Sequence, residues 1–192
     1  TNNADTTVIT GKATAIVETT ISNTATLYTT STDNTGWYYQ NAGTVTKITD
    51  AQYPGNNSLT LAGFGAAMDG YMFQMDTLGG IWNSDLNSIT SWTALGTINA
   101  NIYPDKGVGC IRWKQYIIGF GAESMELFER SSSGDAAFAR RWAIGDGSKL
   151  PYAQTFADGA LFTINPLNEI VRVEGQTPRT KSEAISRFLE QI

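Results

Sequence analysis

The feature that most constrains this chain is a hairpin unit that recurs at near-constant spacing. Tyr71-Met72-Phe73-Gln74-Met75 leads through residues 76–80 to Ile81-Trp82-Asn83. Tyr116-Ile117-Ile118-Gly119-Phe120 leads through 121–124 to Met125-Glu126-Leu127-Phe128-Glu129, and Ala160-Leu161-Phe162-Thr163-Ile164 leads through 165–168 to Glu169-Ile170-Val171-Arg172-Val173. A two-residue turn precedes each unit: Asp69-Gly70, then Lys114-Gln115 45 residues later, then Asp158-Gly159 44 residues further on. Asp-Gly suits the primed turns whose twist matches antiparallel strands, so Asp69, Gly70, Asp158 and Gly159 are expected to be structural turns. A small or apolar run precedes each turn, so the unit reads strand, turn, strand, turn, strand. Short strands at a period near 45 are the signature of β-propeller blades. A β-sandwich with regular hairpins is the alternative.

The first 50 residues hold 16 of the 25 threonines and only six charges. Threonine is β-branched and favours a pleated strand. Ala13-Thr14-Ala15-Ile16-Val17 and Thr24-Ala25-Thr26-Leu27-Tyr28-Thr29 alternate, with Ser22-Asn23 as a turn between them. Trp37-Tyr38-Tyr39 and the alternating Thr44-Val45-Thr46-Lys47-Ile48-Thr49 follow. The expected class is all-β: about four propeller-like blades of short antiparallel strands, belonging to a larger ring. Residues 1–22 read as a Thr-rich β segment ending a preceding blade, 23–180 as the blades, and 181–192 as the start of a short C-terminal helix. For that helix, Thr180-Lys181-Ser182-Glu183 forms a capping box, and Ala184, Ile185, Phe188, Leu189 and Ile192 share one face. The start at Thr1-Asn2-Asn3 and the apolar face at the end read as a piece of a longer protein.

Composition narrows the chemistry. Of 192 residues, none is histidine and one, Cys110, is cysteine. That removes the Ser-His-Asp triad, disulfide frameworks and Cys-rich zinc sites. A net charge of −5 disfavours broad adhesion to nucleic acid. No run of 18 apolar residues is present to span a membrane as a helix. A glycosidase needs two carboxylates flanking a sugar bond, but Asp69, Asp76, Asp85, Asp105, Glu123, Glu126 and Glu129 read as turn residues or half-exposed strand positions. Ser31-Thr32-Asp33-Asn34-Thr35-Gly36-Trp37 is similar to the aspartate box of sialidase propellers, with its glycine one place late; that box is itself a structural turn. No enzyme, cofactor or metal is expected. Trp37, Trp82, Trp92 and Trp113 are candidate stacking platforms for the competing reading, a carbohydrate-binding propeller for host attachment. Arg140-Arg141-Trp142 is a compact basic-aromatic group. It suits an interface anchor more than a nucleic-acid contact.

Several ordered segments carry a family resemblance. They are Gly36-Trp37-Tyr38-Tyr39, then Ile48-Thr49-Asp50-Ala51-Gln52-Tyr53-Pro54-Gly55, Asp69-Gly70-Tyr71-Met72-Phe73 and Asn83-Ser84-Asp85-Leu86-Asn87. Further on come Tyr103-Pro104-Asp105, Phe120-Gly121-Ala122-Glu123-Ser124-Met125-Glu126, Ala137-Phe138-Ala139-Arg140, Ile144-Gly145-Asp146-Gly147, and Val171-Arg172-Val173 with Pro178-Arg179-Thr180. In this order the stretch 24–185 resembles the packaged-DNA stabilisation, or tail-nozzle, proteins of short-tailed bacteriophages. Ala137 stands where the pattern has proline, and Lys181 where it has an aliphatic residue. The resemblance implies a non-enzymatic β-propeller of the phage tail in the virion. It implies a homo-oligomeric ring, a hexamer, on the portal and adaptor among other tail proteins, closing the channel over packaged DNA. Double-stranded DNA would pass without specific binding, and no catalytic residue is carried over.

Overall fold

The computed structural model describes residues 11–40, 43–93, 96–132, 137–175 and 177–181. Within them the chain is β throughout. The first sheet holds β1 (Ala13–Ile21), β2 (Thr24–Ser31), β3 (Gly36–Gln40) and β4 (Thr46–Lys47). The second holds β5 (Leu61–Met68), β6 (Tyr71–Asp76), β7 (Gly80–Asn83) and β8 (Ile98–Asn99). β9 (Gly107–Trp113), β10 (Tyr116–Gly121), β11 (Met125–Arg130) and β12 (Phe138–Ile144) form the third. β13 (Thr155–Ala157), β14 (Ala160–Ile164), β15 (Ile170–Glu174) and β16 (Thr177–Thr180) form the fourth. In every sheet, strands adjacent in sequence pair in order, all antiparallel. These are the blades of a propeller, and the sandwich alternative falls.

The hairpin between the first two strands of each blade sets the period. Ile21 pairs Thr24, Met68 pairs Tyr71, Trp113 pairs Tyr116 and Ala157 pairs Ala160. Both central residues have positive φ at Ser22-Asn23 (51° and 59°), Asp69-Gly70 (53° and 82°) and Asp158-Gly159 (49° and 72°). This is the type I′ geometry that feeds twisted strands. At Lys114-Gln115 the positive φ is at Lys114, 56°. Asp69-Gly70 and Asp158-Gly159 are therefore equivalent turns of the second and fourth blades. Ser22-Asn23 is a further copy of the same turn, so β1 is the first strand of the first blade. Residue 22, expected to end a Thr-rich segment, lies inside the hairpin that joins β1 to β2. The strand anticipated over 44–49 is shorter, because Ile48 leaves the ladder to be buried while its N–H still reaches Gly36 O at 2.8 Å. The helix expected over 181–192 falls, after Lys181, outside the described residues.

Three apolar cores lie between successive blades. Tyr28, Ile48 and Tyr53 of the first blade and its connector pack on Met72, Ile89 and Trp92 of the second. Ala66, Phe73, Met75 and Ile81 of the second pack on Cys110, Ile117, Phe128 and Phe138 of the third. Ile118, Phe120, Met125 and Leu127 of the third pack on Leu161, Val171 and Val173 of the fourth. Alternation across the strand therefore sends Ile117 one way and Ile118 the other. This explains why β10 reads as an unbroken apolar run. The inner strands β5 and β9 approach closely: a Cβ on Gly63, whose φ is +26°, would sit 2.3 Å from Val108 O.

Candidate functional site

The basic-aromatic group on β12 is split by its own strand. The ladder between β11 and β12 shifts between Leu127, which faces Trp142, and Phe128, which faces Arg140. Arg141 is the extra residue of a β-bulge. Arg140 and Trp142 consequently point to opposite faces of the sheet, so the compact surface patch expected from sequence does not form. Trp142 packs 5.0 Å from the Tyr116 ring, beside the core shared with the fourth blade. Arg141 faces Glu129 at 3.7 Å in the open, where such pairs contribute about 0–1 kcal/mol.

Arg140 is instead a clamp between blades. Its Nε lies 2.5 Å from Glu126 Oε2. Its Nη2 donates to Asn99 O at 2.6 Å and Asn101 Oδ1 at 3.0 Å. Glu126 Oε1 accepts from Ile102 N–H at 2.7 Å. An ion pair between buried Glu126 and the partly exposed Arg140 thus ties β11 and β12 to the end of the second blade. Sequence reading took Glu126 for a half-exposed strand residue, whereas it is 0% exposed. The available signal was a carboxylate set between Met125 and Leu127 in an apolar strand, with Arg140 and Arg141 on the strand that follows.

The other carboxylates are acceptors for turns. Asp76 Oδ1 takes the N–H groups of Leu78 (2.7 Å) and Gly80 (3.0 Å), and Oδ2 takes Trp82 Nε1–H (2.8 Å). Asp105 reaches across to Glu123 N–H (2.7 Å) and Ser124 N–H (2.9 Å). Asp33 accepts from Ser31 Oγ, from Thr35 N–H and from Thr35 Oγ1 at 2.7 Å, the contacts of a structural turn. Asp69 meets Arg130 at 4.0 Å, and Asp158-Gly159 is exposed. Among the described residues no group of three or more His, Cys, Asp or Glu is placed to hold a metal. Trp37, Trp92 and Trp113 are buried, and Trp82 is held by Asp76.

Buried polarity concentrates between the first two blades. Tyr53 O–H donates to Tyr28 Oη, and Tyr28 O–H to Gln74 Oε1, each at 2.9 Å; Gln74 Nε2 donates to Ala62 O and Met75 O. Burial raises both phenol pKa values above the usual range. It also pushes the Cys110 thiol up to about 12, which leaves that thiol unreactive at neutral pH. Burial raises the Asp146 carboxyl, with Asn165 opposing and Glu169 adding to the effect.

The first strands of all four blades converge on a cavity of about 600 Å³ lined by Glu18, Asp69, Arg112 and Phe156 among others. Phe64, on the cavity wall, stands edge to face with Tyr152 at 4.7 Å.

Comparison with known proteins gives the following likenesses. Human WBSCR16 superposes with a TM-score of 0.52 at 6% identity, over 86% of this chain and 48% of that one. Myxococcus xanthus glutaminyl cyclase gives 0.45 at 15% identity, over 79% and 62%. The chain thus spans about half the length of the first and under two thirds of the second. No curated protein matches it in sequence. The sequence model of the phage-stabilisation family described as bacteriophage P22 Gp10, beta-propeller, matches residues 2–163. With three ordered blades and the start of a fourth in that span, the chain belongs to this family of phage DNA-stabilisation β-propellers.

Proposed function

We propose that the chain is a non-enzymatic structural component of the phage tail, a nozzle or hub, which assembles on the portal and adaptor, retains packaged DNA and borders the ejection conduit. The family match over residues 2–163 carries this reading. Asp33, Asp76 and Asp105 support it, being committed to turns, as does Glu126, which is committed to the inter-blade clamp. DNA passes between copies arranged as a homo-oligomeric ring, a hexamer, and a net charge of −5 fits passage without tight phosphate binding. Native mass spectrometry and negative-stain imaging of the protein with portal and adaptor test the reading. A closed ring on the portal complex is expected, with particles lacking the protein losing their DNA. A monomer that ignores the portal complex, or particles that keep their DNA without it, would overturn the reading.

A further inference from the structure

The two ends of the propeller differ. Each blade has an even number of antiparallel strands, so the two-residue hairpins lie at one end. The turns between second and third strands, with the connectors between blades, lie at the other. Backbone hydrogen bonds stitch that second end into a belt: Thr77 N–H to Thr60 O, Gly107 N–H to Thr77 O, Ala122 N–H to Lys106 O and Ser148 N–H to Gly121 O. Among the described residues, the belt carries six of the large exposed apolar side chains: Leu78, Ile102, Tyr103, Leu150, Tyr152 and Leu167. Leu86 alone of that set lies in the loops of the hairpin end. At roughly 200 Å² for a large side chain, the exposed fractions amount to roughly 700 Å². These side chains come from four separate loops, so the total belongs to the whole face and not to one patch; Leu78 and Tyr103 share a single groove.

The belt holds one defined groove, of about 530 Å³, between Thr77-Leu78 and the connector that runs from Ala100 to Lys106. Leu78 is 78% exposed on one wall, and Tyr103 with Pro104 forms the other. The charges at its end are unequal in use. Asp105 is saturated by Glu123 N–H, Ser124 N–H and Ser124 Oγ. The Lys106 ammonium is exposed and has no ion pair among the described residues, Glu123 included.

We propose that this groove is a docking site for an extended segment of a second protein, one that carries a large aliphatic side chain next to a carboxylate. The aliphatic group seats between Leu78 and Tyr103, and the carboxylate meets Lys106. A second copy of this chain fits less well, because a two-fold contact through the groove brings Lys106 toward its own mate. The inference rests on the geometry of this face and is independent of the virion reading.

Titration of the 15N-labelled protein with synthetic octapeptides tests it. One peptide has Leu-Asp at its centre, one Leu-Lys and one Ser-Asp. Saturable shifts are expected at Thr77, Leu78 and residues 100–106 with the Leu-Asp peptide, and at least tenfold weaker binding of the other two. Lys106→Glu reverses the preference between Asp and Lys, and Leu78→Ser weakens all binding about tenfold while leaving the remaining spectrum in place. Absence of saturable shifts at the groove would overturn the proposal. So would equal binding of the Asp and Lys peptides that Lys106→Glu does not alter, or a concentration-dependent dimer that Leu78→Ser abolishes.

Discussion

The first and third blades have the same four-strand plan and opposite surroundings. In the third, both faces are covered: Ile117 and Phe128 pack on the second blade, Ile118 and Leu127 on the fourth. In the first, among the described residues, the Tyr28 face alone packs on another blade. On its other face Ile16 is 70% and Leu27 41% exposed, beside Trp37, Tyr39 and Val45. Position in the ring thus sets how much each strand contributes to stability. A strand buried on two sides keeps apolar residues at every position, and one with an open side carries alternate threonines. The local hydrogen bonding is alike in both.

That contrast is sharpest in the core. Phe120→Ala, in the third blade, is expected to lower unfolding free energy by about 3–5 kcal/mol. Ile16→Ala, in the first, should change it by less than about 0.5 kcal/mol. Chemical denaturation of both variants measures the difference, and similar losses would break the comparison.

The inter-blade clamp comes next. Arg140→Leu deprives buried Glu126 of its partly exposed partner, and such a loss amounts to about 1–3 kcal/mol. The double variant Arg140→Leu with Glu126→Leu should recover much of it, as a thermal-melt cycle would show. In the first blade, Tyr28→Phe deprives Gln74 Oε1 of its donor and is expected to cost about 1–3 kcal/mol. Its effect should be confined to the interface of the first two blades.

The period of the hairpins was legible because Asp-Gly is a strong turn signal. Ser22-Asn23 makes the same turn from weaker residues, so the first blade was less legible. The apolar runs of β10 and β14 announced burial but not on which side. The clamp was hidden for a different reason. Glu126 and Arg140 look like ordinary surface charges until the bulge at Arg141 turns Arg140 toward the second blade. Arg140-Arg141-Trp142 looked compact because adjacency in sequence says nothing about which face of a sheet each side chain takes. The apolar belt escaped notice because it gathers residues from four separate loops.

The smallest expected effect is that of Asp146, at the join of the third and fourth blades. Its carboxyl is raised above the ordinary 3.8 by burial. Ionisation is therefore less favourable in the folded protein than in the unfolded chain, so its contribution worsens as pH climbs above 3.8 and levels off beyond the raised value. Asp146→Asn should melt slightly higher than the parent at pH 7 and match it near pH 3. A gap that widens on acidification would reverse the sign.

Hydrogen exchange tests most directly whether coverage of both blade faces governs stability. Amides of β10 and β11, paired from Tyr116 with Glu129 to Phe120 with Met125, are predicted to exchange only through global unfolding. Amides of β1 should exchange through local opening, faster by orders of magnitude, although β1 and β2 pair over nearly their full length. Equal protection of β1 and β10, or slower exchange in β1, would contradict the account.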